Sequence, residues 1–255
     1  MKHVYHLDLN EKHVQGIKLV LLPGDPDRVP TIADHFENPI KLAHKREYHT
    51  YKCSLDGREF LVTSTGMGGP STATTVEELA QLGIKYFLRV GTTGAIQEYI
   101  NVGDVIISTG AVRLDGASYH YAPREYPAVA DYKLVDAAIH ACKRNEIVFH
   151  YGITASSDTF YQGQERYDSY SKYVPRHFQG SFDEWKKLHV LNYEMETATL
   201  LVAASSCGLK AGAINGVVSN RNQSEHVSKN DLELGEKNVI KVAIETVRLL
   251  LYTTP

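Results

Sequence analysis

The chain has 255 residues, 43% of them hydrophobic and 22% charged, with a formal charge of −3. A chain this long can bury about 70–75% of its unfolded surface, so it needs no disulfide or metal staple. The near-neutral charge argues against a nucleic-acid-binding protein. A mean hydropathy of −0.28, with no apolar run near ~18 residues, argues against a membrane span.

The opening Met1-Lys2-His3-Val4-Tyr5-His6 has no apolar stretch of the signal-peptide kind. Ile17–Leu22 is apolar and ends at Pro23-Gly24, which predicts a buried strand. Glu59–Ser64 predicts another, entered by a hairpin turn at Asp56-Gly57. Pro70–Leu82 predicts a helix with proline in its first turn and Gly83 as its stop. Tyr86–Val90 predicts a strand running into a loop, Gly91-Thr92-Thr93-Gly94, and Val105–Ser108 a further strand. Leu134–Arg144 predicts an amphipathic helix, Gly152–Ala155 a strand end, Met195–Cys207 a helix and Ala211–Val218 a strand. The polar stretch Asn222–Asn230 predicts a mobile loop, and Ile240–Tyr252 a closing helix. Cys53, Cys142 and Cys207 are odd in number and far apart, so they suggest neither a disulfide framework nor a zinc pair. A soluble, reduced, cytoplasmic protein is expected.

No linker, charge block or short repeat divides the chain, so residues 1–255 are expected to form one domain. Alternating strands and helices imply an α/β fold with a mixed, largely parallel sheet flanked by helices. Ligands gather at the carboxyl ends of such strands. That rule points to the loops beginning at Pro23, Thr65, Gly91, Ser156 and Asn220.

In Pro23-Gly24-Asp25-Pro26-Asp27-Arg28, the glycine permits close approach of an anion and Arg28 falls one turn into a helix, although a plain turn with a solvated arginine is as good a reading. Thr65-Gly66-Met67-Gly68-Gly69-Pro70-Ser71 fits a dinucleotide fingerprint poorly and is better read as a packing turn. Arg89 ends an apolar strand, so it either faces a site or is buried in an ion pair; the following Thr92 and Thr93 hydroxyls and free amides suit a phosphate or ribose. The segment Ser157–Tyr167 offers Phe160 as a stacking face, with Gln164 and Arg166 able to read a planar base edge. In Asn192-Tyr193-Glu194-Met195-Glu196, the two carboxylates can cap a helix or receive sugar hydroxyls. The twelve histidines show no HExxH spacing, and neither a GxSxG elbow nor a GxxxxGK[ST] loop is present.

Together PGDPDR (23–28), STGMGGPST (64–72), LRVGTTGAI (88–96), INVGDV (100–105), RLDGAS (113–118), TASSDTFYQGQERYD (154–168) and NYEMETATLL (192–201) closely resemble the nucleoside phosphorylase family, in its uridine-cleaving bacterial branch. The resemblance runs almost end to end. It implies the nucleoside phosphorylase/hydrolase-like fold and reversible phosphorolysis of uridine, and of deoxyuridine, with inorganic phosphate. By that resemblance Gly24, Arg28, Arg89 and Thr92 hold phosphate with Arg46 of a neighbouring subunit. Glu196, Met195, Thr92 and a neighbour's His6 hold the ribose. Gln164 and Arg166 take the uracil edge; Phe160, Thr93, Gly94 and Val218 line the base pocket, and Arg221 closes it. Arg89, Glu196, Gln164 and Arg166 carry the chemistry. Glu47, the Met67 carbonyl and Ser71 match an intersubunit potassium site, and no other cofactor is implied. A dimer is the implied active unit, within a hexamer. Two features depart from the family's usual pattern in the base region: Ser219 is polar, and the segment Ser224-Glu225-His226-Val227 stands where an Ile-Pro pair is common. Met67 is larger than the usual aliphatic, but only its carbonyl is implicated. The strand end Val218-Ser219-Asn220-Arg221 lacks the aspartate of purine-cleaving relatives.

Overall fold

The computed structural model describes residues 2–253. The strands are β1 (His3–Val4), β2 (Leu9–Asn10), β3 (Leu19–Leu22), β4 (Glu37–Lys45), β5 (Tyr48–Leu55), β6 (Arg58–Thr63), β7 (Tyr86–Ala95), β8 (Val105–Leu114), β9 (Ala128–Val129), β10 (Phe149–Ser157), β11 (Asn192–Glu194) and β12 (Lys210–Asn220). The helices are α1 (Arg28–Ala33), α2 (Gly69–Gln81), α3 (Tyr132–Arg144), α4 (Ser181–Lys187), α5 (Thr197–Ser206) and α6 (Lys229–Thr253).

Ten strands form one mixed sheet in the order β11-β10-β8-β12-β7-β3-β6-β5-β4, with β9 beside β8. A second pairing of β11, with β7, closes five of these strands into a ring. The strands β3, β6, β7 and β12 run parallel to their neighbours, as do β8, β10 and β11. The two groups meet antiparallel at β12–β8 and β11–β7, and the β4–β5–β6 meander is also antiparallel. The sheet is therefore less parallel than the strand–helix alternation suggests.

The apolar run of β3 buries both faces. Leu19 and Leu21 join a core cluster with Val29, Leu134 and Val242, from α1, α3 and α6. Val20 and Leu22 join another with Val76, Leu79 and Leu200, from α2 and α5. A strand covered on both sides has no polar alternation to show. Helix α5 is apolar nearly all round and is buried from Thr197 to Ala204, as such a helix must be. The hairpin turn forms as expected: Asp56 and Gly57 both have positive φ (51° and 75°), the type I′ geometry that matches strand twist.

Four local expectations change. Gly91-Thr92-Thr93-Gly94 is strand, paired along β12 from Asn215 to Ser219. Arg28 is the first residue of α1, not one turn in. Helix α5 begins at Thr197, leaving Met195 outside and Glu196 at its cap. Helix α6 begins at Lys229, so the polar loop ends sooner and the closing helix is longer. Among the described residues no helix is long and apolar enough to cross a membrane. All three cysteines are free, and only Cys207 is exposed.

Candidate functional site

A cavity of about 490 Å³ opens where the expected loops converge. Gly24 follows β3 and Gly66 and Met67 follow β6; Thr92, Thr93 and Gly94 are the end of β7. Phe160, Gln164 and Arg166 follow β10, Glu194, Met195 and Glu196 link β11 to α5, and Val218 and Ser219 end β12. The loop before α6 adds Glu225 and Val227.

At one end lies a guanidinium cluster. Arg89 is buried; its Nε donates to Glu194 Oε2 (2.9 Å) and its Nη2 pairs with Glu196 Oε2 (2.5 Å). Its Nη1 is buried without a partner. A side chain starting at Gly24 would meet Arg89 Nη1 at 3.8 Å and Arg28 Nη2 at 4.0 Å. Two guanidiniums thus face the space that the missing side chain leaves, which makes a seat for an anion. Burial would lower the pKa of Arg89, but Glu196 and Glu194 outweigh it and hold it raised. Arg28 is lowered by burial and by Arg89, with Glu236 opposing at 3.6 Å. Both stay charged, because an arginine is not deprotonated in a protein. Gly91 makes the Arg89 geometry possible: a Cβ there would lie 2.4 Å from Asn215 Oδ1 and 2.8 Å from Arg89 Nη2.

The two carboxylates that the sequence left ambiguous have separate tasks. Glu194 accepts from the backbone N–H groups of Glu196 (3.0 Å) and Thr197 (3.0 Å) as well as from Arg89, so it caps α5 and pins the arginine. Glu196 accepts from the Gly68 N–H (2.7 Å). Burial raises the Glu196 pKa, with Arg89 opposing and Glu194 adding. The glycine-rich turn before α2, which its residue types alone predict as a packing turn, therefore helps to hold a site carboxylate.

At the other end Arg166 lies over the Phe160 ring (4.2 Å), and its Nη2 reaches Gln164 Oε1 at 3.5 Å. Its Nε is buried and unpartnered. Arg221 is not a cavity wall. It stacks between Phe182 (4.9 Å) and Tyr193 (5.1 Å), just behind Gly94. The Thr93 hydroxyl donates to Tyr193 O (2.6 Å) and accepts from Asn192 Nδ2 (2.7 Å), joining β7 to β11.

The family described as the Phosphorylase superfamily matches this chain over residues 18–251. The chain belongs to the phosphorylase superfamily. It is 54% identical over 248 residues to the uridine phosphorylase of Escherichia coli K12, covering 97% of this chain and 98% of that one. It is 48% identical over 251 residues to the uridine phosphorylase of Haemophilus influenzae, covering 98% and 100%. It is also 37% identical over 242 residues to the guanosine phosphorylase of Halorubrum lacusprofundi, covering 94% of each.

Within this superfamily member, three expected residues besides Arg221 do not line the cavity of their own chain. His6 hydrogen-bonds through Nδ1 to Glu78 (2.7 Å) and is half exposed. Arg46 is exposed at a positive φ of 55° between β4 and β5. Ser71 is not a wall residue itself but donates to the carbonyl of one, Met67 (3.1 Å), and Glu47 is another wall residue. Glu194, Glu225 and Glu236 are the site residues that reasoning from sequence missed as contacts of the arginines. Arg221 and Glu225, four apart, offered a charge-pair signal for one of them.

Proposed function

We propose that this chain is a uridine phosphorylase. It converts uridine, or 2′-deoxyuridine, and inorganic phosphate reversibly to uracil and ribose (or deoxyribose) 1-phosphate. The observation that carries the reading is the polarity of the cavity. An unpartnered buried Arg89 Nη1 faces Arg28 and Gly24 at one end. A Gln164–Arg166 pair beside Phe160 stands at the other, with Glu196 among the lining residues.

In this reading Arg28, Arg89, Thr92 and the Gly24 backbone hold phosphate beneath the anomeric carbon, which turns an encounter into positioning. Glu196 accepts the ribose hydroxyls, with Met195 against the sugar. A phosphate oxygen bonds to C1′ as the C1′–N1 bond breaks, and the bonding pair leaves with the base. Gln164 and Arg166 stabilise that developing negative charge; one such donor is typically worth ~3–4 kcal/mol. Phosphate arrives as an anion, so no serine or histidine has to be activated. Thr93, Gly94, Phe160 and Val218 shape the base pocket, with Arg221 behind it.

The exposed Arg46 and half-exposed His6, both outside the cavity of their own chain, support the reading that each completes the site of a neighbouring copy, giving a dimer as active unit within a hexamer. A potassium ion between subunits would be held by Glu47, the Met67 carbonyl and Ser71. Those oxygen donors suit a hard cation, and Glu47 and Ser71 both crowd Gly66, within 2.7 and 3.2 Å of a Cβ placed there.

A panel of uridine, deoxyuridine, thymidine, inosine and guanosine, each with and without phosphate, tests the reading. Uridine is expected to be split only with phosphate present. Equal loss without phosphate, or cleavage of purine nucleosides alone, overturns it.

A further inference from the structure

We propose that Glu225 is the resting counter-ion of the base site: its carboxylate bridges Arg166 and Arg221 while the site is empty, and the carbonyl edge of the pyrimidine takes its place. The proposal rests on the uridine reading above and names a residue to which that reading gives no part.

Arg166 follows the short 3₁₀ turn Gln162–Gln164 and Arg221 follows β12, so two separate elements bring two guanidiniums together. Both are buried, with side chains 6% and 2% exposed. Burial lowers the Arg166 pKa, Arg221 lowers it further, and Glu225 opposes both effects. Glu225 bridges them: Oε2 pairs with Arg166 Nη1, and Oε1 accepts from Arg221 Nε at 2.7 Å. The bridge comes from the solvent side. Glu225 is 40% exposed, in a segment between β12 and α6 that is neither helix nor strand, and it lines the cavity.

The two arginines keep further donors unpaired. Arg166 Nε and Arg221 Nη1 are buried without partners. Arg166 Nη2 is only weakly engaged, at 3.5 Å from Gln164 Oε1. A uracil edge presents two carbonyl acceptors flanking one N–H, and in the proposed exchange one carbonyl takes Arg166 Nη1 from Glu225. In the substrate those carbonyls are neutral and replace a full carboxylate poorly. As the glycosidic bond breaks, the base becomes anionic and the exchange turns favourable. Substrate and transition state bear the same cost of displacing Glu225, so the bridge raises KM for the nucleoside and leaves kcat unchanged. Apparent affinity falls by the fraction of time that the arginines are free, so a bridge closed nine times in ten weakens base binding about tenfold.

The test uses the full chain with Glu225→Gln, which keeps shape and removes charge, and Glu225→Ala. Uracil is titrated calorimetrically in the presence of phosphate, and KM is measured for uridine and for phosphate. The expected result is uracil affinity tightened about five- to tenfold, the range given by a bridge closed for roughly 80–90% of the time, with KM for uridine lowered in parallel. KM for phosphate, set at the Arg28–Arg89 end, stays put; a general structural lesion would move it. Weaker or unchanged uracil binding in both variants overturns the proposal and makes Glu225 a support for the arginines or a direct acceptor for the base. A wild-type chain that fails to split uridine overturns the functional reading instead. An active wild type with no tightening overturns only the bridge.

Discussion

Glu194→Gln separates the positioning of Arg89 from the mere presence of its charge. Glu194 touches three donors: Arg89 Nε at 2.9 Å and the N–H groups of Glu196 and Thr197 at 3.0 Å. Its side chain is 2% exposed. Removing one partner of a buried ion pair costs about 3–5 kcal/mol, because a charge is left behind without water. Here Arg89 keeps Glu196 at 2.5 Å, and the amide oxygen of glutamine can still cap α5. The lower limit applies, about 3 kcal/mol, which for a chain of this size is a fall of roughly 6–12 °C in Tm. The amide NH2 would face Arg89 Nε, so the guanidinium turns and its Nη1 leaves the Gly24 seat. KM for phosphate is therefore expected to rise more than KM for uridine. Scanning calorimetry and initial rates over a grid of both substrates check this. A Tm within about 2 °C of wild type, the shift of less than one kcal/mol, with an unchanged phosphate KM, would refute the assignment of Glu194 as the residue that aims Arg89.

Glu196→Gln is expected to lower kcat/KM by ~10–100-fold, the equivalent of one charge-assisted hydrogen bond of about 1.5–3 kcal/mol. Because burial raises the Glu196 pKa above its unfolded value, its stabilising contribution is full below the ordinary glutamate range and is lost as pH rises through the folded value; the variant should flatten the Tm–pH curve of the ligand-free protein over that interval, and an unchanged slope counts against it. Phe160→Ala removes the face under Arg166 at 4.2 Å and is expected to raise KM for uridine by ~3–30-fold, from a cation–π contact of about 0.5–2 kcal/mol, while KM for phosphate stays constant. Gly91→Ala places a methyl 2.4 Å from Asn215 Oδ1 and 2.8 Å from Arg89 Nη2; since a shift of about 1 Å in a positioning group costs ~100-fold in rate, near-normal turnover would show that Arg89 has no need of that seat.

The sequence showed most plainly those elements whose apolar pattern is self-sufficient. The amphipathic α3 and the hairpin turn at Asp56-Gly57 lie within a few residues of expectation. Strand β4 was invisible because Glu37–Lys45 is largely exposed and carries lysines and a histidine on an edge. The first half of α6 was missed because it is polar and contains Gly235, which packs against the Val217 carbonyl and would put a Cβ 2.8 Å from it. Gly91-Thr92-Thr93-Gly94 has the composition of a turn, yet stays strand because its glycine makes room for a guanidinium and an asparagine. Within the site, residue types at strand ends marked Gly24, Arg28, Arg89, Gln164, Arg166 and the two glutamates only as candidates beside plainer structural readings, and the family resemblance drew all of these but Glu194 into one site. Residue types could not separate Glu194 from Glu196. Only the turn from β11 into α5 sends one carboxylate to the helix cap and the other toward Gly68.

The charges of the site are balanced before any ligand arrives. Arg89 has Glu194 and Glu196, Arg28 has Glu236, and Arg166 and Arg221 share Glu225. Without these acids, three guanidiniums lining one cavity and a fourth just behind it would repel one another strongly in a poorly solvated space. Yet the balance is uneven in mobility. Glu194 is locked by backbone donors, Glu236 stands on a long helix, and Glu225 stands on a loop. The phosphate end thus keeps its acids and adds an anion to an arginine nitrogen that has no partner, Arg89 Nη1. The base end has to exchange its acid for the ligand. In the proposed reading, fixed carboxylates at one end aim the arginines that hold the nucleophile, whereas a movable one at the other yields its arginines to the heterocycle, whose anion they bind more strongly than its neutral form. That asymmetry is what glycosidic cleavage requires, since the nucleophile is charged from the start and the leaving group becomes charged only as the bond breaks.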